Sequence, residues 1–515
     1  MSDTEEKDYH LDIHGKHFSR NGMLLLILVG TFGAMLMQTA IGTMIPTLMK
    51  DFDISMSTAQ GATTWFLLAN GVMVPISAYL ATKFPTRWLY EAAYGLLIVG
   101  MLMCYMAPTS NWWVFLSGRI LQAIAVGVTM PLMQVALVNM FEPKRMGAVM
   151  GLGGIVIGVA PAIGPTFAGW LIVNKLHLFG MSFGGSWRTV FLIPMLVVAL
   201  VFLVGLFVLH DVIPNRPMKL DFLSFILSIL GFGVFLWGFT NVASDGWSDL
   251  AHVILPIIGG LIIITVFCWR QTTMKDPFLD IRVFKNKQFT LTTIAVALVT
   301  MAMMGVEMML PLYLQEVHGL SAFNSGLTLL PGALMMMVVM PLAGAAYDRL
   351  GARPLTIVGF IILGIGTVPF IFLTTSTPNH FVTLLYGLRT VGIAMAMMPL
   401  MTSAMNALPV KDVAQGTASN STARQIASSV VVALLSSVAQ NVITNHMPAT
   451  SLKTSNPMAY ADKAINAMLT GYHASFMIGL AFAVVGLFVA FFLRRGKVVS
   501  GIHEEDALAA EGEVK

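Results

Sequence analysis

The chain has 515 residues, 57% of them hydrophobic and 10% charged, with a mean hydropathy of +0.80 and a formal net charge of +4. A water-soluble domain carries about 25% charged residues, so the composition is that of a protein dissolved in lipid, not of a soluble enzyme. The positive balance does not mark a nucleic-acid binder, because the charges sit in loops and form no soluble basic face, and the two isolated cysteines, Cys104 and Cys268, make neither a disulfide framework nor a metal site.

Residues 1–21 are polar and read as a disordered cytoplasmic tail. His10, His14 and His17 lie there, but no carboxylate or cysteine cluster completes a metal site, so no metal or other cofactor is expected. The apolar run from Gly22 is long enough to span a membrane and reads as a first helix, not a cleaved signal. A spanning helix needs about 20 mainly apolar residues. By that measure fourteen spans are predicted: 22–46, 61–82, 88–107, 113–138, 146–172, 189–210, 222–241, 251–269, 289–315, 323–346, 354–375, 381–404, 414–442 and 471–493. The seventh and eighth lack the glycine–proline punctuation of the others and read as an inserted pair. The expected organisation is a six-helix bundle at 22–210, the inserted pair with its cytoplasmic loops at 211–287, a second six-helix bundle at 288–494 and a tail at 495–515. Loops after odd-numbered spans hold Lys50, Lys175, Arg188, Lys453 and Lys463, spans hold Arg119, Arg389 and Arg424, and the remaining 21 of 29 basic residues lie in the other loops and tails. The positive-inside rule then places both termini in the cytoplasm.

Several residues inside or beside these spans carry chemistry. Arg119 and Gln122 share one face of the fourth span, and an arginine at membrane depth marks a functional site or a buried ion pair. The fifth span holds Gly147/Gly151 and Gly154/Gly158 at GxxxG spacing, which lets a neighbouring helix approach closely. Pro161 and Pro165 each remove a backbone donor and should bend it. Glu307, in Met301-Ala-Met-Met-Gly-Val-Glu-Met-Met-Leu-Pro311, is an acid well inside a span with no opposite charge nearby in sequence, and is the candidate to take and release a proton. Met304 and Met308 flank it as adaptable, soft side chains suited to lining a cavity. Glu91, at the start of the third span, reads as an interfacial anchor beside Arg87.

Between the tenth and eleventh spans lies Gly344-Ala-Ala-Tyr-Asp348-Arg349-Leu-Gly351-Ala-Arg353, expected as a tight charged loop that latches two helices at the cytoplasmic face. A degenerate copy with Lys83 and Arg87 lies between the second and third spans, and two copies suggest two related halves. The loop is similar to the signature of major facilitator transporters. Gly158-Val-Ala-Pro161-Ala-Ile-Gly164-Pro165-Thr-Phe-Ala-Gly169 resembles the antiporter motif of drug:proton exporters, which lines the contact between bundles and limits leak. Pro311-Leu-Tyr-Leu-Gln315 with Gly319, Gly326 and Leu330-Pro-Gly332 resembles a ninth and tenth span, Gly416, Ser419, Asn420 and Arg424-Gln425 a thirteenth, and Asp221, Gly246-Trp247 and Pro277-Phe-Leu-Asp280 the inserted pair of the EmrB/QacA family of fourteen-helix antiporters. The resemblance runs from about Gly22 to Leu493.

It implies an all-α major facilitator fold in the bacterial cytoplasmic (inner) membrane and proton-driven export of varied lipophilic compounds. Glu307 and Arg119 would carry proton coupling, and Gln38, Gln122, Met304, Met308 and Asn420 would line the cavity. A periplasmic adaptor and outer-membrane channel are further partners of such exporters. One departure matters: the family's first span often carries an aspartate where this chain has Met37, beside the non-titrating Gln38, so neutral or monocationic compounds are expected in preference to dications. Export of one endogenous metabolite, peptide or lipid is the alternative, and a receptor or channel leaves the repeated loop unexplained. No GxxxxGK[ST] phosphate loop is present for an ATP-driven pump.

Overall fold

The computed structural model describes residues 11–494 other than 55, 142–145, 179–180, 216–220, 275–276, 278 and 410–411; some side chains within helices, among them those of Gly158, Pro161 and Asp348, also lie outside the described set, as do His10 and the 495–515 tail. The chain runs α1 (Arg20–Thr39), α2 (Ile41–Phe52), α3 (Met56–Lys83), α4 (Thr86–Met106), α5 (Trp112–Met140), α6 (Met146–Val173), β1 (Lys175–Leu178), β2 (Met181–Gly184), α7 (Trp187–Val208), α8 (Phe222–Asp245), α9 (Leu255–Thr273), α10 (Lys287–Glu307), α11 (Leu310–Leu312), α12 (Ala322–Leu350), α13 (Ala352–Thr367), α14 (Asn379–Asn406), α15 (Val413–His446), α16 (Thr450–Ser455) and α17 (Pro457–Ala490). Among the described residues, 13 helices are long and apolar enough to cross a membrane, and α6, with 28 residues, supplies the remaining span. The β1–β2 hairpin between α6 and α7 is a small antiparallel addition to an otherwise helical protein.

The predicted spans are recovered with different ends. α17 begins at Pro457 rather than near 471, because a proline at the first turn needs no amide partner and Asn456 accepts from the Ala459 amide. Helical hydrogen bonding is interrupted in two spans, the first at Ala40 and the ninth at Met308 and Met309, although all three residues keep right-handed helical dihedrals. The N-terminal tail, expected to be disordered, is ordered from residue 11: the Ile13 amide donates to the Asp211 carbonyl (3.0 Å), and His14 Nε2 lies 3.3 Å from Asp211 Oδ2.

Burial follows the lipid. α7, α8 and α9 expose Leu200, Phe207, Leu230 and Ile262, which only a hydrocarbon surround tolerates in such number. Exposed tryptophans stand at the helix ends, Trp88 and Trp269 towards one face and Trp113 and Trp247 towards the other, as interfacial belts require. One buried cluster draws on α1 to α7, and two more on α10 to α17. The pair α8–α9 packs across the join between them: Phe232 and Phe267 meet Val72, Ile76 and Tyr79 of α3 and Ala418 of α15. Asp221 and Arg270 tie the base of that pair through two contacts of 3.0 and 3.1 Å, and Gln271 links Ser224 (2.7 Å) to the Leu279 amide (3.1 Å).

Candidate functional site

The first span stops at Thr39 and resumes at Ile41, with Pro46 unable to donate a backbone hydrogen bond in the second piece. Carbonyls at such a stop need donors, and lipid offers none. Arg119 of α5 provides one: its Nη1 donates to the Met37 carbonyl (2.9 Å) and to Gln122 Oε1 (2.7 Å). Gln122 Nε2 passes the chain on to Cys104 Sγ (3.2 Å), and the guanidinium carbon lies 4.4 Å from the centre of the Phe66 ring. The predicted pairing of Arg119 and Gln122 is therefore present, and both side chains are fully buried. Gln122, expected in a cavity lining, is bonded to Arg119 in this arrangement.

The second half repeats this arrangement. Arg389 of α14, also fully buried, donates through Nη2 to the carbonyls of Ala302 (2.7 Å) and Met303 (2.8 Å), just before α10 stops at Glu307. α14 is the fourth span of the second half, as α5 is of the first. Arg389 and Tyr386 lie close enough to Glu307 to interact with it electrostatically. Glu307 Oε2 is buried without a hydrogen-bond partner, as are Arg389 Nε and Nη1. Glu307 is thus an acid at a helix break with a cation beside it. Sequence reading saw the acid and missed its neighbour, although Arg389 occupies the same span in its half as Arg119. It also passed over Glu316, further along the same span, which accepts from the Tyr472 hydroxyl.

Gly164 lies at a close approach within its own half. A Cβ there would lie 2.4 Å from Thr39 Oγ1 and 3.0 Å from the Leu36 carbonyl oxygen, so the close approach is to the break in the first span of the same half. Thr43 Oγ1 bridges the Ala40 and Pro165 carbonyls across the same contact (3.2 and 3.3 Å). α6 also packs along the other half: Thr166 Oγ1 donates to the Gly326 carbonyl of α12 (2.7 Å), and Gly154 faces Met340 of α12 and Met398 of α14. Pro165 and Gly169 are buried nearby. A matching seam joins α15 to α3 and α5: Gln425 Nε2 donates to the Leu67 carbonyl (3.3 Å), and Arg424 Nη2 lies 3.1 Å from Met130 Sδ.

The remaining candidates are spread out. Gln38 is half-buried beside Met37, its Oε1 unpartnered. Asn420 is buried and donates to Thr293 Oγ1 (3.1 Å), joining α15 to α10 instead of facing a cavity. Met304 and Met308 are half-buried around Glu307, with Ser436 Oγ 4.0 Å from Met308 Sδ. The expected charged loop is a single residue: Asp348 and Arg349 lie in the last turn of α12, Gly351 turns the chain at φ +77°, and Arg353 is already in α13. Only glycine adopts that φ without strain. Arg349 is exposed, Arg353 half-buried, and Gly344 faces Met398 of α14. In the first half the loop is bonded: Arg87 Nε pairs with Glu91 Oε1 (2.7 Å), Arg87 Nη2 reaches the Leu206 carbonyl (2.6 Å), and the Arg87 amide donates to Asp211 Oδ1 (3.0 Å). Lys83 Nζ lies over the Tyr79 and Phe84 rings.

Two broken first spans, each held by an arginine from a fourth span, and two seams between the halves are the architecture of a transporter built from related bundles. The family model described as Major Facilitator Superfamily matches residues 27–432. "Uncharacterized MFS-type transporter YcnB" of Bacillus subtilis is 38% identical over 483 residues, covering 94% of this chain and 97% of that protein. "Lincomycin resistance protein LmrB" of the same organism is 36% identical over 482 residues, covering 92% and 96%. The crystal structure of a D-xylose-proton symporter shares the fold at 14% identity, with a TM-score of 0.61 over 92% of this chain and 98% of that one. The chain belongs to the Major Facilitator Superfamily and is a multi-pass membrane transporter, not an enzyme.

Proposed function

We propose that the chain exports varied lipophilic compounds, neutral or singly charged, by alternating access, with Glu307 carrying the coupling proton in the manner of EmrB/QacA-type drug:proton antiporters. The observation that carries this reading is Glu307, half-buried at the end of α10 with one carboxyl oxygen enclosed and unpartnered and Arg389 within electrostatic reach. Lipid makes an idle charge costly, so an acid kept there is best explained by use. The relative named for lincomycin resistance supports drugs as cargo. The preference against dications follows from the charges available: the described helix interiors bring Arg119, Arg389 and Arg424 against Glu307, so a second positive charge on a substrate finds no second acid at mid-depth.

In this reading both termini face the cytoplasm of a bacterial cell whose inner membrane holds the protein, and the two halves rock about the seams at Thr166–Gly326 and Gln425–Leu67. The Gly351 and Pro85 turns would latch the cytoplasmic ends. The test is transport by purified protein in vesicles with an imposed pH gradient, run against lincomycin and matched mono- and bivalent quaternary ammonium compounds. Gradient-dependent movement of several unrelated compounds, with the monovalent members favoured, is expected. Movement of a single compound, or movement indifferent to the gradient, would defeat the proposal.

A further inference from the structure

The two arginine clamps differ in what they leave unused. Arg119 spends Nη1 on the Met37 carbonyl and on Gln122 of its own helix, and its face rests on Phe66; among the described residues no acid interacts with it. Arg389 spends only Nη2, on the carbonyls of Ala302 and Met303. Its Nε and Nη1 are buried and unpartnered, and so is Glu307 Oε2, within electrostatic reach. Buried polar groups are almost always hydrogen-bonded. Two unspent donors within electrostatic reach of an unspent acceptor are the makings of a pair that is not formed in this arrangement.

We infer that Arg389 is the positioning partner of Glu307: it rests on the Ala302 and Met303 carbonyls while Glu307 is protonated, and it turns a free N–H to the carboxylate once the Glu307 O–H bond has broken and the proton has passed to water. The inference rests on reading Glu307 as the proton carrier. One guanidinium then links the charge on Glu307 to the clamp on the end of α10, so protonation and the geometry of that break change together. Tyr386 is the other titratable group facing Glu307, also from α14. From α17, Ser475 and Gly479 pack at Gly305, while Tyr472 and His473 are engaged by Glu316 and the Leu373 carbonyl; α15 brings Ser436 to Met308. None of these replaces a cation.

A hydrophobic carbodiimide reacts with protonated carboxyls at membrane depth, and mass spectrometry reads the fraction of Glu307 modified at each pH in purified full-length protein. Arg389→Gln should let labelling persist to a pH at least one unit higher than in the parent protein, a tenfold change in proton affinity. Arg389→Lys keeps the charge without the fork and should shift labelling less, by about threefold; it carries the test if the glutamine variant does not fold. Arg188→Lys, which alters an arginine bonded to the Ala107 carbonyl away from this site, should leave the profile in place. An unshifted profile in both Arg389 variants would overturn the inference. An equal shift in Arg188→Lys would also overturn it, since loosened packing would then explain the effect. Failure of the parent reading shows elsewhere, as gradient-driven transport that survives Glu307→Gln, and that result would remove the inference with it.

Discussion

Gly326→Ala tests whether the seam between α6 and α12 is a working joint. A methyl carbon there would sit 2.4 Å from Thr166 Cα and 2.8 Å from its nitrogen, both backbone atoms of the opposing helix. Ordinary carbon contacts begin at about 3.5 Å, so the two backbones must part by roughly 1 Å. Overpacking of that kind costs about 1–3 kcal/mol. Stretching the 2.7 Å bond from Thr166 to the Gly326 carbonyl adds about 1 kcal/mol. A penalty of about 2–4 kcal/mol disfavours the closed seam by roughly 30- to 1,000-fold. Because the transport cycle must pass through that state, initial efflux rates in vesicles should fall at least about tenfold at unchanged expression, and spin labels across α6 and α12 should report a longer distance. Gly154→Ala, on α6 of the same seam, is the control, because a Cβ there meets only the Met398 and Met340 sulfurs at 3.6 and 4.0 Å. It should pump within about twofold of the parent. A Gly326→Ala protein at full rate, or a Gly154→Ala protein equally impaired, would refute the argument.

Two further outcomes follow from the geometry. Gly164→Ala should act within one half, because the added carbon meets Thr39, the Leu36 carbonyl and the Ala40 amide; a loss of about 1–3 kcal/mol, seen as a lower Tm of purified protein, is expected, and an unchanged Tm would contradict the contact. Asp221 sits at the base of α8: burial pushes its carboxyl up, but the bonds from Arg270 and Ser224 outweigh that and hold it below the usual carboxylate range. A carboxyl depressed on folding adds stability above its unfolded pKa and loses it as pH falls through the folded value. Asp221→Asn should therefore be less stable near neutrality by on the order of 1 kcal/mol, with the gap closing below about pH 4, and a pH-independent gap would argue against the ion pair.

Hydropathy made the spans legible because lipid imposes one rule on every spanning helix, an apolar length. It could not show where helical bonding is interrupted, since Ala40 and Met308 are ordinary residues and the arginines that reach the neighbouring carbonyls come from far away in sequence. The same limit explains Arg389: it became meaningful only when α14 was laid against α10. Glu307 was legible, because an acid in an apolar run is conspicuous without any partner. Gly164 was correctly read as a place of close approach, but spacing alone does not say which helix approaches, and that helix is α1. The charged decapeptide at the end of α12 read as a loop because its charges suggest solvent. Helical hydrogen bonding carries through Asp348 and Arg349, and only Gly351, at φ +77°, leaves the helix.

The most direct test of the account compares the parent protein with Glu307→Gln in vesicles, measuring pH-gradient-driven export beside substrate exchange across the same membrane without a gradient. Exchange needs only the rocking of the two halves, whereas driven export needs the proton. The account predicts that Glu307→Gln abolishes driven export and leaves exchange within a few-fold of the parent. Driven export at the parent rate, at normal expression, would contradict it.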